Sequence, residues 1–322
     1  MIHQYWRAPE VLSRTLELMG AAIVDWGERE RRLTDCVSVL QGAYFGSYPH
    51  GNSVLVRGAA ESIIIDPSMS VVAEGGAPVH VDAVINSHGH EDHLAGNGLF
   101  SDARVHIHDR DLGAVQSLDG LLDVFGFPDE VRAEQAIHFV EELHYTPRPD
   151  AHGFTDGHVF DLGGLTVTAK HLPGHTLGHS GFFIDGGVFF LSDIDLTGFG
   201  PYYGDVWSDL EQFEQSLREV RDIDAEYYVT FHQKGVIEGR ETFLTLLDKF
   251  HSVIDRRHQE MLTFLAEPRT LDEMATNRFV YRPHVDIPFV TTVERRTAEL
   301  HVQRMLTRGE AVEVDPGRFQ VA

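Results

Sequence analysis

The spacing of apolar and polar positions changes several times along the chain, and each change predicts an element. Leu12, Leu16, Met19 and Ile23 recur at helical spacing, which predicts an added amphipathic helix within residues 1–32. From Val37 the period shortens. Val37 to Leu40, Ser53 to Arg57 and Ser62 to Ile65 are apolar runs punctuated by Gly51-Asn52 and Gly58-Ala59, the pattern of a β-meander. Val81 to Ile85 predicts a buried strand, Leu94 to Phe100 a short helix, and Val105-His106-Ile107 another strand. Residues 109–150 carry helical spacing, with Leu121, Leu122, Val124, Phe125 and Phe127 gathered before Pro128. Strands return at Val159-Phe160, Leu165 to Leu172, Val188 to Leu191 and Asp224 to Thr230. Between the last two, Trp207, Leu210, Phe213, Leu217 and Val220 form one stripe behind Ser208-x-x-Glu211, which reads as a capping box for a helix over 208–221. A long amphipathic helix follows from Thr242 to Arg257. Beyond it Thr270-x-x-Glu273 and Thr291-x-x-Glu294 mark helix starts and Gly309 a stop. Glu310 to Val314 and Arg318-Phe319 flank Asp315-Pro316-Gly317 as a small hairpin. This change of rhythm divides the chain into 1–254 and 255–322.

The chemistry concentrates after the strand at Val81 to Ile85. His88-Gly89-His90-Glu91-Asp92-His93 places four potential metal donors within six residues, and Gly89 lets the chain turn sharply as it leaves the strand. With 20 His in 322 residues, a His-rich surface loop is the plain alternative. Three further donors stand in strand-end contexts: His175 in Leu172-Pro173-Gly174-His175-Thr176, Asp193 after Phe189-Phe190-Leu191-Ser192, and His232 after Tyr227-Tyr228-Val229-Thr230-Phe231. Five imidazoles and two carboxylates suit zinc, with iron or manganese also compatible, and do not suit calcium or magnesium.

The order H-x-H-x-D-H, then P-G-H-T, then S-D after an apolar strand, then a late His, resembles the metallo-β-lactamase superfamily. Ile63-Ile64-Ile65-Asp66-Pro67 is similar to its early strand-Asp motif, so the resemblance runs from about Ser38 to His232. It implies an α/β fold, a four-layer αββα sandwich over 1–254, with the N-terminal helix and a lid-like insertion at about 109–150 as additions. It also implies a ligand set for two divalent ions. His88, His90 and His175 hold one ion, Asp92, His93 and His232 the other, and Asp193 bridges them. Two such ions share a hydroxide that attacks a polarised carbonyl, and Asp92 steers that hydroxide or passes a proton to the leaving group. Asp66 is either a partner beside the metal site or a turn cap before Pro67, and His179 and Ser180 take structural roles. Tyr202, in the loop after Asp193, stands where lactonases of the family place a hydroxyl on the substrate carbonyl, although the spacing differs. Residues 255–322 resemble a winged-helix-like appendage found on some hydrolases of the superfamily, with Tyr281, Arg282 and His284 as pocket candidates.

Composition narrows the reading. At 42% hydrophobic and 10% aromatic residues the chain can bury one large core and a smaller unit. A net charge of -24, from 26 basic and 50 acidic residues, repels nucleic acid and anionic membranes, and the tail holds ten Arg, no Lys and eleven acids, without a basic footprint. A small-molecule substrate is therefore expected, with neither nucleic acid nor membrane as partner, and a packing or homo-oligomer-forming role for the tail. Met1 to Arg7 lack the basic, apolar start of an export signal and Cys36 stands alone, so a cytoplasmic location is expected, with Cys36 as a small buried hydrophobe. His90 stands where the family's flavin-coupled diiron oxidoreductases have Glu, which counts against redox chemistry. The basic pattern with which glyoxalase-II-like thioesterases grip glutathione is not evident. What remains is a metal-dependent hydrolase of an ester or thioester, with a lactonase as alternative. A nucleic-acid processing enzyme and a non-catalytic metal-binding protein represent other classes.

Overall fold

The computed structural model describes residues 21–285, 287 and 289–322. Seven strands form the first sheet in the order Glu30–Arg32, Val37–Leu40, Ser53–Arg57, Ser62–Ile65, Ala83–Ile85, Arg104–His108 and His152–Phe154. The first four pair antiparallel, as a meander must, and the later neighbours are parallel. The second sheet runs Val159–Asp161, Thr166–His171, Ser180–Ile184, Val188–Ser192, Tyr227–Thr230 and Val236–Glu238. Its one parallel pair is Val188–Ser192 with Tyr227–Thr230, joined by the crossover helix Leu210–Val220.

Strand alternation sorts the side chains between layers. Val54, Val56, Ile63 and Ile65 of the first sheet face Val167, Phe182, Phe190 and Val229 of the second, while Leu55 and Ile64 turn outward to the helices of the insertion. Phe189, Leu191 and Tyr228 turn outward on the other side and meet Leu210, Phe213 and Leu217. Helices therefore cover both outer faces of two packed sheets: a four-layer αββα sandwich. Each such aliphatic or aromatic side chain, withdrawn from water, contributes about 1.5–3 kcal/mol.

Several local expectations change. Leu12, Leu16 and Met19 lie outside the described residues. Ile23 lies in the two-residue strand Ala22–Ile23, parallel to Gly76–Ala77, and Glu30–Arg32 adds an edge strand to the meander, so residues 21–32 hold a 3-10 turn at Gly27–Arg29 but no amphipathic α-helix. The short helix expected at Leu94 to Phe100 is instead Glu91–Leu94, followed by a 3-10 turn at Asn97–Leu99. Between them Gly96 lies so close to Pro67 that a Cβ would fall 2.7 Å from the proline ring. The helix after Trp207 is capped by Asp209, whose carboxylate accepts from the Gln212 N–H at 2.9 Å, and Ser208 instead donates to the carbonyl of His175. Helix Val290–Arg308 starts one residue before Thr291, because buried Glu294 turns away from a capping role and accepts the backbone N–H groups of Phe279, Val280 and Tyr281. Cys36 is half-buried at the margin of the inter-sheet core.

The insertion is mostly packing. Its helices Leu112–Gln116, Leu118–Phe125 and Asp129–Glu141 bury Leu121, Leu122 and Val124 over the first sheet. At the other end, Leu271–Asn277, Val290–Arg308 and the hairpin Ala311–Asp315 with Arg318–Val321 gather a small core of Met261, Leu265, Met274, Val302 and Met305. The Thr270 capping box and the left-handed Gly309 stop are both present. The division after residue 254 falls inside one continuous helix, Arg240–Phe264. Phe243, Leu247 and Phe250 of that helix belong to the core of the second sheet, and Met261 to that of the tail.

His106 and His108 sit away from the donor block, and they yield a stability prediction. His106 packs against Phe160 and His152, and His108 stacks on His171 with ring centroids 4.1 Å apart. Burial, followed by the positive neighbours His152 and Arg104, holds His106 at a pKa of about 4; burial and then His171 hold His108 at about 4. An unfolded His titrates near 6.5, so between that pH and about 4 the unfolded chain binds more protons. Their contribution is complete above pH 6.5 and is lost as pH falls through that window. The thermal midpoint should therefore drop from pH 7 to pH 5, and a His106→Gln/His108→Gln variant should show a shallower drop. Equal slopes in scanning calorimetry would refute the assignment.

Candidate metal centre

The seven expected donors come from both sheets and converge at one edge of the sandwich. His88 follows Ala83–Ile85, Asp193 follows Val188–Ser192, His232 stands two residues beyond Tyr227–Thr230, and His175 lies in the loop between Thr166–His171 and Ser180–Ile184. Asp92 and His93 occupy the turn of helix Glu91–Leu94. Backbone in the sparsely populated left-handed region flanks the cluster at Asp66, at Ser192 just before Asp193, and at Gln233 just after His232. Such positions persist where surrounding contacts over-determine them. Gly89 does not have the left-handed backbone of a sharp glycine turn. It is needed because a Cβ there would meet the Ala114 methyl at 2.7 Å.

Two sets of donor atoms form. His88 Nε2, His90 Nδ1 and His175 Nε2 stand 3.0, 3.0 and 3.2 Å from one another, with Asp193 Oδ2 3.3 Å from His175 and 4.0 Å from His88. In the second set His93 Nε2 lies 3.0 Å from Asp193 Oδ1, and His232 Nε2 lies 3.3 Å from Asp92 Oδ2. Asp193 thus turns Oδ1 toward His93 of the second set and Oδ2 toward the first, with His232 Nε2 also 3.7 Å from Oδ2. Donors 2.0–2.1 Å from a tetrahedral zinc ion stand roughly 3.3 Å apart, so the nitrogen spacing fits such an ion. Asp92 Oδ2, His93 Nε2 and Asp193 Oδ1 are buried without a hydrogen-bond partner despite these short approaches. Orphaned polar atoms are costly in a protein interior, and all three belong to side chains grouped as possible metal donors, which fits a cation.

The partners of each imidazole fix which nitrogen is free. His93 donates through Nδ1 to Asp66 Oδ2 at 2.8 Å, and Asp66 also accepts the Ser87 N–H at 2.7 Å, so its role is beside the metal site and not as a cap before Pro67. His175 Nδ1 donates to the Tyr202 carbonyl at 2.8 Å, and His90 Nε2 to Asp205 Oδ2 at 2.9 Å. His232 Nδ1 approaches the Gly46 carbonyl at 3.3 Å. Each tautomer leaves the other nitrogen turned inward. His179 donates to the Leu172 carbonyl and accepts the backbone N–H of Asp193; burial, then His175, holds it near pKa 3, so it acts as a neutral brace. For Asp193 burial opposes ionisation, yet His93, His232 and His175 around it hold its carboxyl well below the ordinary carboxylate range.

Several contributors have no signal in local spacing. Buried Asp111 accepts from the Gly89 N–H at 3.0 Å, the Thr176 hydroxyl at 2.6 Å and the Gly178 N–H at 2.6 Å, which ties the His88-Gly89-His90 turn to the loop of His175. Asp195 accepts the backbone N–H of His232, and Glu91 accepts from the Tyr48 hydroxyl at 2.7 Å. The Tyr202 hydroxyl donates to Asp205 Oδ1 at 2.9 Å, which engages its proton with a carboxylate of the protein. Phe125 of the insertion stacks on the His90 ring at 5.3 Å, and Tyr281 of the tail packs on Phe199 at 5.6 Å. Arg282 and His284 are exposed.

A sandwich that ends strands of both sheets in a His/Asp cluster defines a class of metal-binding αββα proteins. The sequence profile of the metallo-beta-lactamase superfamily matches residues 48–232, more than half of the chain, and the chain belongs to that superfamily. Among solved structures, a metallo-beta-lactamase family protein from Thermus thermophilus superposes with TM-score 0.68 at 18% identity, covering 90% of this chain and 100% of that one. A beta-lactamase domain protein from Burkholderia ambifaria gives TM-score 0.65 at 16% identity, covering 95% and 96%. These likenesses concern the fold. An atrochrysone carboxyl ACP thioesterase from Aspergillus fumigatus is 28% identical over 140 residues, which is 44% of this chain and 40% of that protein. No helix among the described residues is long and apolar enough to cross a membrane.

Proposed function

We propose that the chain is a metal-dependent hydrolase that holds two divalent cations, most suitably zinc, and cleaves a carboxylic thioester or ester of a small molecule. The observation that carries this reading is the Asp193 carboxylate, with one oxygen turned toward each of two donor sets. The partial similarity to a thioesterase supports the choice of bond, and a lactone remains the second reading because Tyr202 stands at the rim of the site. Cations held by these His and Asp residues would lower the pKa of a water to about 7 and polarise a carbonyl. The chain's own residues do the rest. Asp66, Asp205 and the Tyr202 carbonyl orient imidazoles, Phe125 shields one face of His90 from water, and Asp92, beside its place in the second donor set, would steer the attacking water or move a proton to the leaving group. The net charge of -24 argues against a polyanionic substrate.

Metal analysis of the purified protein should give two ions per chain, and hydrolysis across a panel of thioesters, esters and lactones should vanish with a chelator and return with zinc. Absence of turnover from a fully metal-loaded protein would leave a non-catalytic metal-binding role, and salt-sensitive retention on RNA would favour nucleic-acid processing. Tyr202→Phe should lower turnover by about tenfold while metal content holds. If turnover does not move, the hydroxyl serves only to hold Asp205.

A further inference from the structure

We infer that the two long C-terminal helices position His90 and His175, so that one half of the metal centre is set by the tail and the other is not. This rests on the two-cation reading above. The link is the segment 199–208. Its Tyr202 carbonyl and Asp205 carboxylate accept from His175 and His90, and its Ser208 hydroxyl donates to the His175 carbonyl at 2.8 Å. The segment is itself gripped through main-chain carbonyls. Arg257, on helix Arg240–Phe264 and 1% exposed, donates to the carbonyls of Pro201 at 2.5 Å and Phe199 at 2.8 Å. Arg296, on helix Val290–Arg308, donates to the carbonyls of Asp205 at 3.3 Å and Ser208 at 3.1 Å.

A buried guanidinium is costly to desolvate; Arg257 offsets this through its two terminal nitrogens on the carbonyls and through the Phe199 and Tyr203 rings at 5.5 and 5.4 Å, while its Nε has no partner. Two glycines let the segment press against both helices. A Cβ at Gly200 would meet Val253 at 2.3 Å, and one at Gly204 would meet Val293 at 2.2 Å. The buried Tyr203 hydroxyl adds a third tie, 3.0 Å from His301 Nε2, and His301 continues through His258 to Glu310. The imidazoles of the other half have different supports. His93 leans on Asp66, and His232 on Gly46 and Asp195, residues of the two sheets and their loops.

The predicted consequence is an asymmetric loss. Cobalt(II) titration of the apoprotein, followed by visible absorption and by chelator competition, should resolve two binding steps in the wild type. Arg257→Met, or Arg296→Gln if the first variant does not fold, should weaken one step by about 10- to 100-fold and leave the other in place. The surviving spectrum should match that of His175→Ala and not that of His232→Ala, and Arg257→Lys should restore part of the lost affinity. Two unchanged steps, equal weakening of both, or a surviving spectrum like that of His232→Ala would overturn the inference. A wild type that takes up fewer than two ions would instead overturn the reading on which it rests.

Discussion

Asp193→Ala is expected to release both cations and to lower turnover by at least the order of 10²–10³-fold that follows removal of one charge-stabilising donor. Among the described residues the carboxylate is the side chain with an oxygen near each donor set, 3.0 Å from His93 and 3.3 Å from His175. Its loss takes a negative charge from among four buried imidazoles and the half-buried His232, so on the two-cation reading the repulsion between the ions would no longer be offset. Asp193→Asn separates charge from shape. If the bridge is ionic, Asn behaves almost as badly as Ala in both metal content and turnover. Retention of two ions by Asp193→Ala, with turnover near wild type, would exclude the bridge.

Asp111→Ala is expected to destabilise the fold itself, by about 3–5 kcal/mol, as when one partner of a buried, charge-assisted network is removed. Three donors, two of them backbone N–H groups, converge on this carboxylate, and each would be left unsatisfied in the interior. Denaturant unfolding in the presence of a chelator isolates this effect from metal binding. Asp109→Ala, an exposed acid two residues earlier, is the control and should stay within about 0.5 kcal/mol of wild type. If both variants unfold alike, Asp111 is not the tie between the two ligand loops.

The strands and the donors were legible in the sequence for one reason. A strand is a local apolar run, and a donor placed just past its end announces itself beside that run, as His88, Asp193 and His232 do. The supports were not legible because they act across long separations. Asp111 reaches Gly178, and Asp205 reaches His90 from 115 positions away, with no spacing that marks either. Asp66 stood between two roles on sequence grounds, and only the approach of His93 and Ser87 decides it. Ser208 and Thr291 matched a capping pattern whose local logic lost to tertiary demands, the carbonyl of His175 in one case and the backbone of Phe279 to Tyr281 in the other. The continuity of helix Arg240–Phe264 through residue 254 was hidden by a real change of composition, because a helix can pass from one core to another without altering its period.

The arginines that grip segment 199–208 hold its path through peptide oxygens, and Arg257 also covers the rings of Phe199 and Tyr203 at 5.5 and 5.4 Å. Phe199, 40% exposed, thus stands between the clamp and Tyr281 of the tail, with one face left to solvent. Because the grip is mainly on carbonyls, it transmits the position of the two helices to the main chain that carries Tyr202 and Asp205. A small rotation of either helix would therefore register at His90 and His175 without any change in the side chains that hold the cluster together.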